Sequence, residues 1–346
     1  MVYFSVRCEQ SILSEIIYLS ALCTVAIPVY NRKEAVVFAV NSALNQSLPD
    51  LEVLVVDDGS TDGAFEAVQE ISDSRLRVIR NNVNLGLFGN FNRCVSLASG
   101  KYVRILCTDD RLAADCLAKE VAWLESHTAV SMLSTRGEFI DSNGKATGFL
   151  GDDMVPGLYK GSDMIYGALW VLAQYGHNAF NYPSGILFRK KLAEGLRGFD
   201  SHYKLVGDVD FWLQLAEKGH VAISSDIGCQ VLRHEGQAGS KVMQSGTYVD
   251  EWVDLLERWR RYVPVSYLPK LRRQMGAHAY WYARHFASSG DNHISTIYLK
   301  QAIHLCSGRI PLFFETSRLL RLKALAKFLG KQIQPPVHSL FDGGSL

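Results

Sequence analysis

Two pairs of adjacent aspartates stand where apolar segments of the chain end. Asp57 and Asp58 follow the run LEVLVV, and Asp109 and Asp110 follow the run YVRILCT. Carboxylates at the carboxyl ends of buried parallel strands line the crevice in which such sheets bind their ligands. Because two helical stretches and one strand-like run separate the pairs, both are expected at one edge of the same sheet. The sequence therefore predicts an acidic edge that could hold a nucleotide together with a metal.

The segments that carry these acids alternate between strand and helix patterns. Strands are predicted at CTVAIPVY, LEVLVV, RLRVI and YVRILC, with helices between them at about 32–45, 62–72 and 88–98. Further on, the pattern predicts a helix at about 115–126, a strand at SMLSTRGEFID, a strand that leads into a helix at SGILFRKKL, a helix that ends near Gly219, and a last strand at VAISSDIGCQVLRH. The stretch 148–181 is interpreted as loop-rich and aromatic. Such alternation predicts an α/β fold, with a mostly parallel central sheet and helices on both faces.

Three regions follow from this pattern. Residues 1–20 form an N-terminal extension, residues 21–236 hold the strands, and residues 237–346 form a helical region for which no further strand is predicted. In that last region, the segment RIPLFFETSRLLRLKALAKFLGK has an apolar helical face surrounded by basic residues. This arrangement suits the surface of an anionic membrane. A helix that packs on the rest of the chain and exposes a basic face to solvent is the alternative.

Composition excludes several classes of protein. The chain has 346 residues, of which 48% are hydrophobic, and its 36 basic residues nearly cancel its 35 acidic ones. A net charge of +1 provides no global field to recruit nucleic acid. The seven cysteines are odd in number and contain no CxxC pair, which argues against a disulfide framework or a zinc site and favours a reducing cytoplasm. Glu15 and Pro28 interrupt the apolar N-terminal stretch, so neither a membrane span nor a cleaved signal is expected there.

Five motifs occur in a fixed order along the chain: Pro28-Val-Tyr30-Asn31, VVDDGSTD, NLGLFGNFN, the TDD run, and GDVDFW. With these motifs the chain resembles the family-2 glycosyltransferases of the GT-A fold over about residues 23–236. The resemblance implies inverting transfer of a sugar from a nucleoside-diphosphate sugar, a UDP-sugar above all, to a hydroxyl of a glycan or lipid-linked acceptor. It also implies Mg²⁺ or Mn²⁺ as cofactor and a role in assembling bacterial surface polysaccharide or glycolipid. The cellular location that the resemblance implies is the cytoplasm, or peripheral attachment to the cytoplasmic face of the inner membrane.

The resemblance assigns the binding of the nucleotide sugar to residues in the loops after the first four strands: Pro28, Tyr30, Asn31, Asp58, Asn84, Gly86 and Asp109. Asp58 is the implied acceptor of a hydrogen bond from the imino nitrogen of uracil. The residues alone also allow simpler interpretations. These are a strand stop with Asn31 capping the next helix, an Asp-Gly turn with Asp62 as a cap, and an ordinary glycine turn at Gly86. Asn92 matches a recurrent family asparagine, but an exposed helical asparagine would look the same.

The resemblance also assigns the metal and the base. Asp110 is the implied metal ligand, Asp109 binds the ribose or the metal, and His234 approaches the metal or the diphosphate. Cys107 stands where the commoner DxDD pattern has its first acid. Asp208 is the implied general base, which removes the proton of the acceptor hydroxyl. Gly207 precedes it where relatives often have Glu. The alternatives are helix-capping acids and a structural histidine.

Other functions fit the sequence less well. A sugar-phosphate nucleotidyltransferase normally has a glycine-rich basic loop near its N-terminus, and nothing like it precedes Pro28. A Rossmann dehydrogenase would need G-x-G-x-x-G after the first strand, which is absent. A non-catalytic protein that binds sugar nucleotides stays open, with Cys107 and Gly207 as the hints of a degenerate site.

Overall fold

The computed structural model describes residues 21–141, 144–151, 153–232, 238–306 and 341–342, the last two and 238–241 by their backbone alone. Eleven strands form one sheet within these residues. They are β1 (Cys23–Val29), β2 (Leu51–Asp57), β3 (Leu76–Arg80), β4 (Tyr102–Ile105), β5 (Asp110–Leu112), β6 (Val130–Ile140), β7 (Ala146–Leu150), β8 (Gly157–Tyr159), β9 (Ile186–Arg189), β10 (His220–Leu232) and β11 (Phe341–Asp342).

Helices connect and cover these strands. In the described part of the chain they are α1 (Lys33–Leu44), α2 (Ala64–Gln69), α3 (Gly86–Leu97), α4 (Cys116–Ser126), α5 (Gly161–Tyr175), α6 (Lys190–Ala193), α7 (Gly207–Ala216), α8 (Ala238–Ser245), α9 (Tyr248–Trp259), α10 (Leu268–Ser288) and α11 (Asn292–Leu305). Two short 3-10 turns, Pro183–Gly185 and Arg260–Tyr262, precede β9 and follow α9. The strands and helices predicted up to residue 126 are confirmed, with ends displaced by a few residues.

The main path of the sheet runs in the order β11-β8-β10-β6-β9-β4-β1-β2-β3, with β5 beside β10 and β7 beside β6. β1 pairs in parallel with β2 and β4, β2 pairs in parallel with β3, and β6 does so with β10. β9 runs antiparallel to both of its neighbours, β4 and β6. Among the described strands from β10 to β3, β9 alone therefore opposes the others. The predicted mostly parallel sheet is confirmed for this central part.

The sheet separates two apolar cores, because successive side chains of a strand point to opposite faces. Val53 and Val55 of β2 face a core that α1, α2 and α4 cover. Leu54 and Val56 face the other core, which α3, α5 and α7 cover. All residues of β1 and β2 are buried, as expected for central strands covered on both sides. The predicted helices on both faces are confirmed.

The interpretation of residues 148–181 as loop-rich was wrong in its central part. This stretch contains β8 and the 15-residue helix α5, which lies inside the second core. A Cβ atom on Gly161 would lie 1.7 Å from the carbonyl oxygen of Ala216, so only glycine lets α5 approach α7 this closely. A helix that is buried on nearly every side has no polar face. Its sequence therefore lacks the 3.6-residue period by which surface helices are recognised.

The helical character predicted beyond residue 237 is confirmed for α8 to α11. Trp252 of α9 and Leu271 of α10 belong to the same core as α5, and Gln274 of α10 donates a hydrogen bond to Gln174 of α5. The expectation of no further strand was wrong, because β11 pairs with β8 in antiparallel orientation. Two residues are too few to show an alternating pattern. The domain boundary near residue 236 stays a prediction.

Two of the predicted segments, the N-terminal extension 1–20 and the basic amphipathic stretch near residues 309–331, lie outside the described residues. Among the helices that the structure does describe, none has the length and apolar character needed to cross a bilayer.

Candidate active site

The loops after β1, β2, β3 and β4 meet at one edge of the sheet, as the sequence predicts. The backbone N–H of Asp58 donates to the carbonyl of Val29 (2.8 Å), which joins the loop after β2 to the end of β1. On the other side of β1, the hydroxyl of Thr108 donates to the carbonyl of Pro28 (2.7 Å). Tyr30 extends from the same end of β1 with a half-exposed side chain. Four loops are thus tied into a single surface.

Asp57 holds the turn that follows β2. Its fully buried carboxylate accepts hydrogen bonds from the backbone N–H groups of Gly59 (3.2 Å) and Ser60 (3.1 Å). The guanidinium Nε of Arg80 lies 3.2 Å from the same carboxylate. With these partners, the first acid of the pair is a structural residue.

Asp58, the second acid, organises the loop after β3. Its Oδ1 accepts hydrogen bonds from the side-chain amide of Asn81 and the backbone N–H of Leu85, both at 2.8 Å. Its Oδ2 accepts one from the backbone N–H of Gly86 (2.9 Å), and its own carbonyl accepts one from the side chain of Asn84 (3.0 Å). A carboxylate offers roughly four acceptor positions, so Oδ2 can still accept from a nucleobase. The predicted contact of Asp58 with uracil stays a prediction.

Gly86 has a φ of +75°, and a side chain there would meet no protein atom within 4 Å. Backbone conformation, rather than crowding within the protein, therefore explains the glycine at this position. The predicted contacts of Asn84 and Gly86 with the nucleotide sugar stay predictions.

Asn31 joins the loops after β1 and β2 instead of capping α1. Its backbone is left-handed, with a φ of +51°, and its side-chain oxygen accepts a hydrogen bond from the N–H of Thr61 (2.8 Å). The first turn of α1 is capped from the neighbouring loop, because the N–H of Lys33 donates to Asp62 (2.9 Å). Asp62 also accepts from the N–H of Ala64 (3.0 Å), but the N-cap of α2 is Gly63, so Asp62 stands one residue before the expected cap position. Asn31 is thereby fixed at the edge where a nucleotide is predicted to bind.

The acids after β4 differ in exposure and in partners. Asp109 is partly exposed, and Nε of Arg32 lies 3.6 Å from its Oδ1. Asp110 is buried and accepts a hydrogen bond from the hydroxyl of Ser184 (2.5 Å), which in turn accepts one from the N–H of Cys107 (3.0 Å). Burial raises the pKa of Asp110 to about 7, and the charge of Asp109 adds to the rise. A cation beside the pair would remove this penalty.

These two carboxylates fit a hard divalent cation. Mg²⁺ is commonly bound by one or two carboxylates together with phosphate oxygens of the substrate, and Asp109 and Asp110 provide such a pair. Across the described ranges, no group of three or more His, Cys, Asp or Glu side chains is arranged to hold a metal without such a substrate. His234, the third predicted ligand, lies outside the described residues.

Asp208 lies in the first turn of α7 and is partly buried. Its Oδ1 accepts a hydrogen bond from the N–H of Val209 (2.7 Å), and burial raises its pKa to about 7. Burial also raises the pKa of the Cys107 thiol, and the charges of Asp110, Asp208 and Asp109 all add to that rise. All three carboxylates are therefore close enough to Cys107 for their charges to act on it. Asp58 directly follows β2, and only β1 lies between β2 and β4, which are therefore about 10 Å apart across the sheet.

Asp210 has a different surrounding from Asp208, as expected for a residue two positions further along a helix. Its fully buried carboxylate accepts hydrogen bonds from Trp259 Nε1 (2.7 Å), Gln214 Nε2 (2.9 Å) and Arg258 Nη1 (3.2 Å). Asp210 thus anchors α7 to the end of α9.

Two positions singled out in the sequence have structural roles. Asn92 exchanges two hydrogen bonds, both of 2.8 Å, with the backbone of Phe199, so it is neither a free surface residue nor directed to the sheet edge. A Cβ atom on Gly207 would lie 2.6 Å from the ring of Phe88. A larger residue at this position would require that ring to move.

Sequence analysis missed two residues that organise the acids. Ser184, in the turn Pro183–Gly185, links Asp110 to the backbone of the loop after β4. Glu251 of α9 accepts hydrogen bonds from the three backbone N–H groups of residues 204–206, directly before α7. Both act on segments that are distant in the chain, and neither belongs to a local motif that could have indicated its role.

The family model described as glycosyl transferase family 2 matches residues 24–197. The chain belongs to glycosyl transferase family 2. It is therefore a glycosyltransferase, and the alternatives of a nucleotidyltransferase and a non-catalytic binding protein are set aside. One relative is the UDP-Glc:alpha-D-GlcNAc-diphosphoundecaprenol beta-1,3-glucosyltransferase WfaP of Escherichia coli, 31% identical over 105 residues. The match covers 30% of this chain and 42% of WfaP, so the chain spans less than half of that protein's length.

Solved structures of other glycosyltransferases share the fold. Residues 1–349 of TarS from S. aureus, in complex with UDP-GlcNAc, align with a TM-score of 0.53 and 17% identity over 83% of this chain and 92% of that chain. The mannosyltransferase PcManGT from Pyrobaculum calidifontis, in complex with GDP-Man and Mn²⁺, aligns with a TM-score of 0.50 and 18% identity over 90% and 88%. At these identities the likeness shows the fold alone. This family-2 glycosyltransferase has the GT-A fold.

Proposed function

We propose that this glycosyltransferase moves a sugar from a nucleoside-diphosphate sugar, most simply a UDP-sugar, to an acceptor hydroxyl, with inversion at the anomeric carbon. The observation that carries the proposal is that Asp109 and Asp110 follow β4 at the edge where β1 and β2 also end, while the charge of Asp208 still acts on Cys107 in the same loop. Such a site has acids of two kinds: a pair suited to a cation and a single acid suited to moving a proton.

The donor would lie across the ends of β1 and β2. Asp58 keeps an acceptor position for the imino N–H of uracil, while Tyr30 and Asn31 border the base. The ribose would reach Asp109, and the loop that holds Asn84 and Gly86 would close on the nucleotide. UDP is favoured because the name of WfaP specifies UDP-Glc and the TarS structure contains UDP-GlcNAc.

Asp110 and Asp109 would hold Mg²⁺ or Mn²⁺, with His234 as a further proposed ligand. When bound, the cation neutralises the charge that develops on the departing diphosphate. Ser184 keeps the carboxylate of Asp110 in one orientation through its hydrogen bond. The Mn²⁺ in the PcManGT complex shows that this fold can hold such an ion in another protein.

Asp208 is the proposed general base. A pKa near 7 suits a carboxylate that must accept the proton of the acceptor hydroxyl at neutral pH and pass it on afterwards. Attack by that hydroxyl on the face opposite the departing diphosphate inverts the anomeric centre in one step. No covalent bond between sugar and enzyme is required.

The acceptor is proposed to be a growing bacterial glycan or glycolipid on a lipid carrier. WfaP is named for a sugar joined to diphosphoundecaprenol, an acceptor held at a membrane. The proposed location is the cytoplasm, with peripheral contact to the cytoplasmic face of the inner membrane through the basic C-terminal segment.

A panel of nucleotide sugars with Mn²⁺ tests this function by thermal shift, since a ligand at about 100 times its Kd stabilises the folded state by about 2.7 kcal/mol. The donor found this way then serves in turnover assays of the purified protein. Asp110→Ala is expected to lose metal-dependent turnover, and Asp208→Asn to lose turnover while still binding the donor. If either variant turned over the donor like the unaltered protein, the role assigned to that residue would be wrong.

A further inference from the structure

We propose that Glu251 of α9 is a positioning residue for Asp208. Its carboxylate fixes the backbone directly before α7 and so sets the place of the proposed base. This inference rests on the role of Asp208 proposed above and adds to it a residue from the C-terminal helices.

The contacts of Glu251 are all with backbone groups. Its Oε1 accepts a hydrogen bond from the N–H of Lys204 (2.8 Å), and its Oε2 accepts from Leu205 (2.9 Å) and Val206 (3.1 Å). Hydrogen bonds to an ionised carboxylate are about twice as strong as neutral ones. The three N–H groups belong to the segment directly before α7, whose N-cap is Val206, so one side chain holds the approach to the helix. Asp208 follows two residues after the last of these groups.

One face of α9 forms hydrogen bonds with the segment that precedes Asp208. Glu251, Asp254 and Arg258 have the spacing i, i+3, i+7, which places them in a row on a helix. Asp254 accepts a hydrogen bond from the hydroxyl of Tyr203 (2.5 Å), and Arg258 donates to Asp200 (2.9 Å). The segment is therefore held at several points along its length, with Glu251 nearest to the base.

Gly207, the first residue of α7, has no side chain of its own that could bond to the segment before it. Gly207 cannot carry a side chain, since a Cβ atom there would lie 2.6 Å from the ring of Phe88. Glu251 supplies, from a different helix, the carboxylate that bonds to the backbone directly before Gly207. Burial is the main cause of the raised pKa of Asp208, and the charge of Glu251 adds to it, so the two acids are close enough to interact.

The test compares Glu251→Ala and Glu251→Gln with the control Glu257→Gln. Glu257 lies on the same helix and accepts a hydrogen bond from Arg272 (3.1 Å), far from the loop before α7. For Glu251→Ala we expect kcat for metal-dependent turnover of the identified UDP-sugar to fall on the order of 10- to 100-fold, since small misplacements of a reacting group have effects of this size. The donor KM should stay within about twofold, because Glu251 touches no donor residue.

Hydrogen exchange supplies a readout that does not depend on turnover. The amides of residues 203–209 should exchange faster in Glu251→Ala, while the rest of the sheet edge and the control variant exchange as in the unaltered protein. Glu251→Gln keeps an oxygen that can accept a hydrogen bond, so its kcat should lie between those of Glu251→Ala and the unaltered protein.

Asp208→Asn, measured in parallel, separates the two proposals. Full turnover by Asp208→Asn would refute the base and this inference with it. An inactive Asp208→Asn together with unchanged kcat and exchange in Glu251→Ala would overturn the role of Glu251 alone. Should Glu251→Ala not fold, Glu251→Gln decides: a lower kcat at an unaltered melting temperature supports positioning, and an unaltered kcat overturns it.

Discussion

The pH dependence of turnover is the most direct consequence of the environment of Asp208. Burial raises the pKa of its carboxyl from an ordinary 3.8 to about 7. A general base must be ionised to accept a proton, so turnover should be lost as the pH falls through 7. About one-tenth of the molecules would have this carboxyl ionised at pH 6 and about nine-tenths at pH 8. We therefore expect kcat/KM to rise about tenfold between these two values.

The assay measures initial rates between about pH 5.5 and about pH 8.5 at constant ionic strength and saturating Mn²⁺. The kcat/KM for the acceptor is the relevant quantity, because it reports on the enzyme before the acceptor binds. Asp208→Glu keeps a titrating carboxyl and should retain a rising limb, whereas the residual rate of Asp208→Asn should lack it. A flat profile in the unaltered protein, or the same limb in Asp208→Asn, would refute the reasoning.

The same raised pKa predicts an effect on stability. An acid whose pKa is higher in the folded state binds its proton more tightly there, so its contribution to stability declines as the pH rises from about 4 to about 7. Above pH 7 the ionised Asp208 costs up to about 4 kcal/mol, as a pKa rise of about three units implies. Asp208→Asn should therefore unfold at higher urea concentration than the unaltered protein at pH 8. The difference should disappear near pH 4.

Further predictions concern the metal and the packing around α7. Asp110→Ala should abolish the melting-temperature increase that Mn²⁺ causes in the presence of the donor, because the cation loses its buried ligand; an undiminished increase would place the metal elsewhere. Gly207→Ala should destabilise the protein by about 1–3 kcal/mol in urea denaturation, since its methyl group would meet the ring of Phe88 at 2.6 Å. Asp210→Ala should cost about 1–3 kcal/mol, because it leaves the buried indole N–H of Trp259 without its acceptor. A change below 1 kcal/mol, about the effect of a surface substitution, would contradict the last two.

The strands that end at the acidic edge were predictable because they are buried on both faces. β1, β2 and β4 are short, mostly apolar runs without the regular polar alternation of half-exposed strands, and every residue in them is buried. Helices between them require parallel order, and parallel order brings their ends together. The common location of Asp58, Asp109 and Asp110 therefore followed from local patterns alone.

The remaining features depend on partners that are distant in the sequence. The reversed direction of β9 and the buried position of α5 are set by neighbours in the fold, and neither leaves a periodic signal in its own segment. Ser184 and Glu251 are an ordinary serine in a turn and an ordinary glutamate in a helix. Their hydrogen bonds to the segments that carry the acids exist only once the chain has folded.

The core shared by α5, α9 and α10 limits how this enzyme can be shortened. Trp252 and Leu271 pack in the same core as α5. A chain truncated after residue 236 would therefore expose the apolar surface of α5 to water. Such a fragment would aggregate, although it contains all the residues that match the family model. Exchanging the tail of this protein for that of a relative would therefore require redesigning α5 as well.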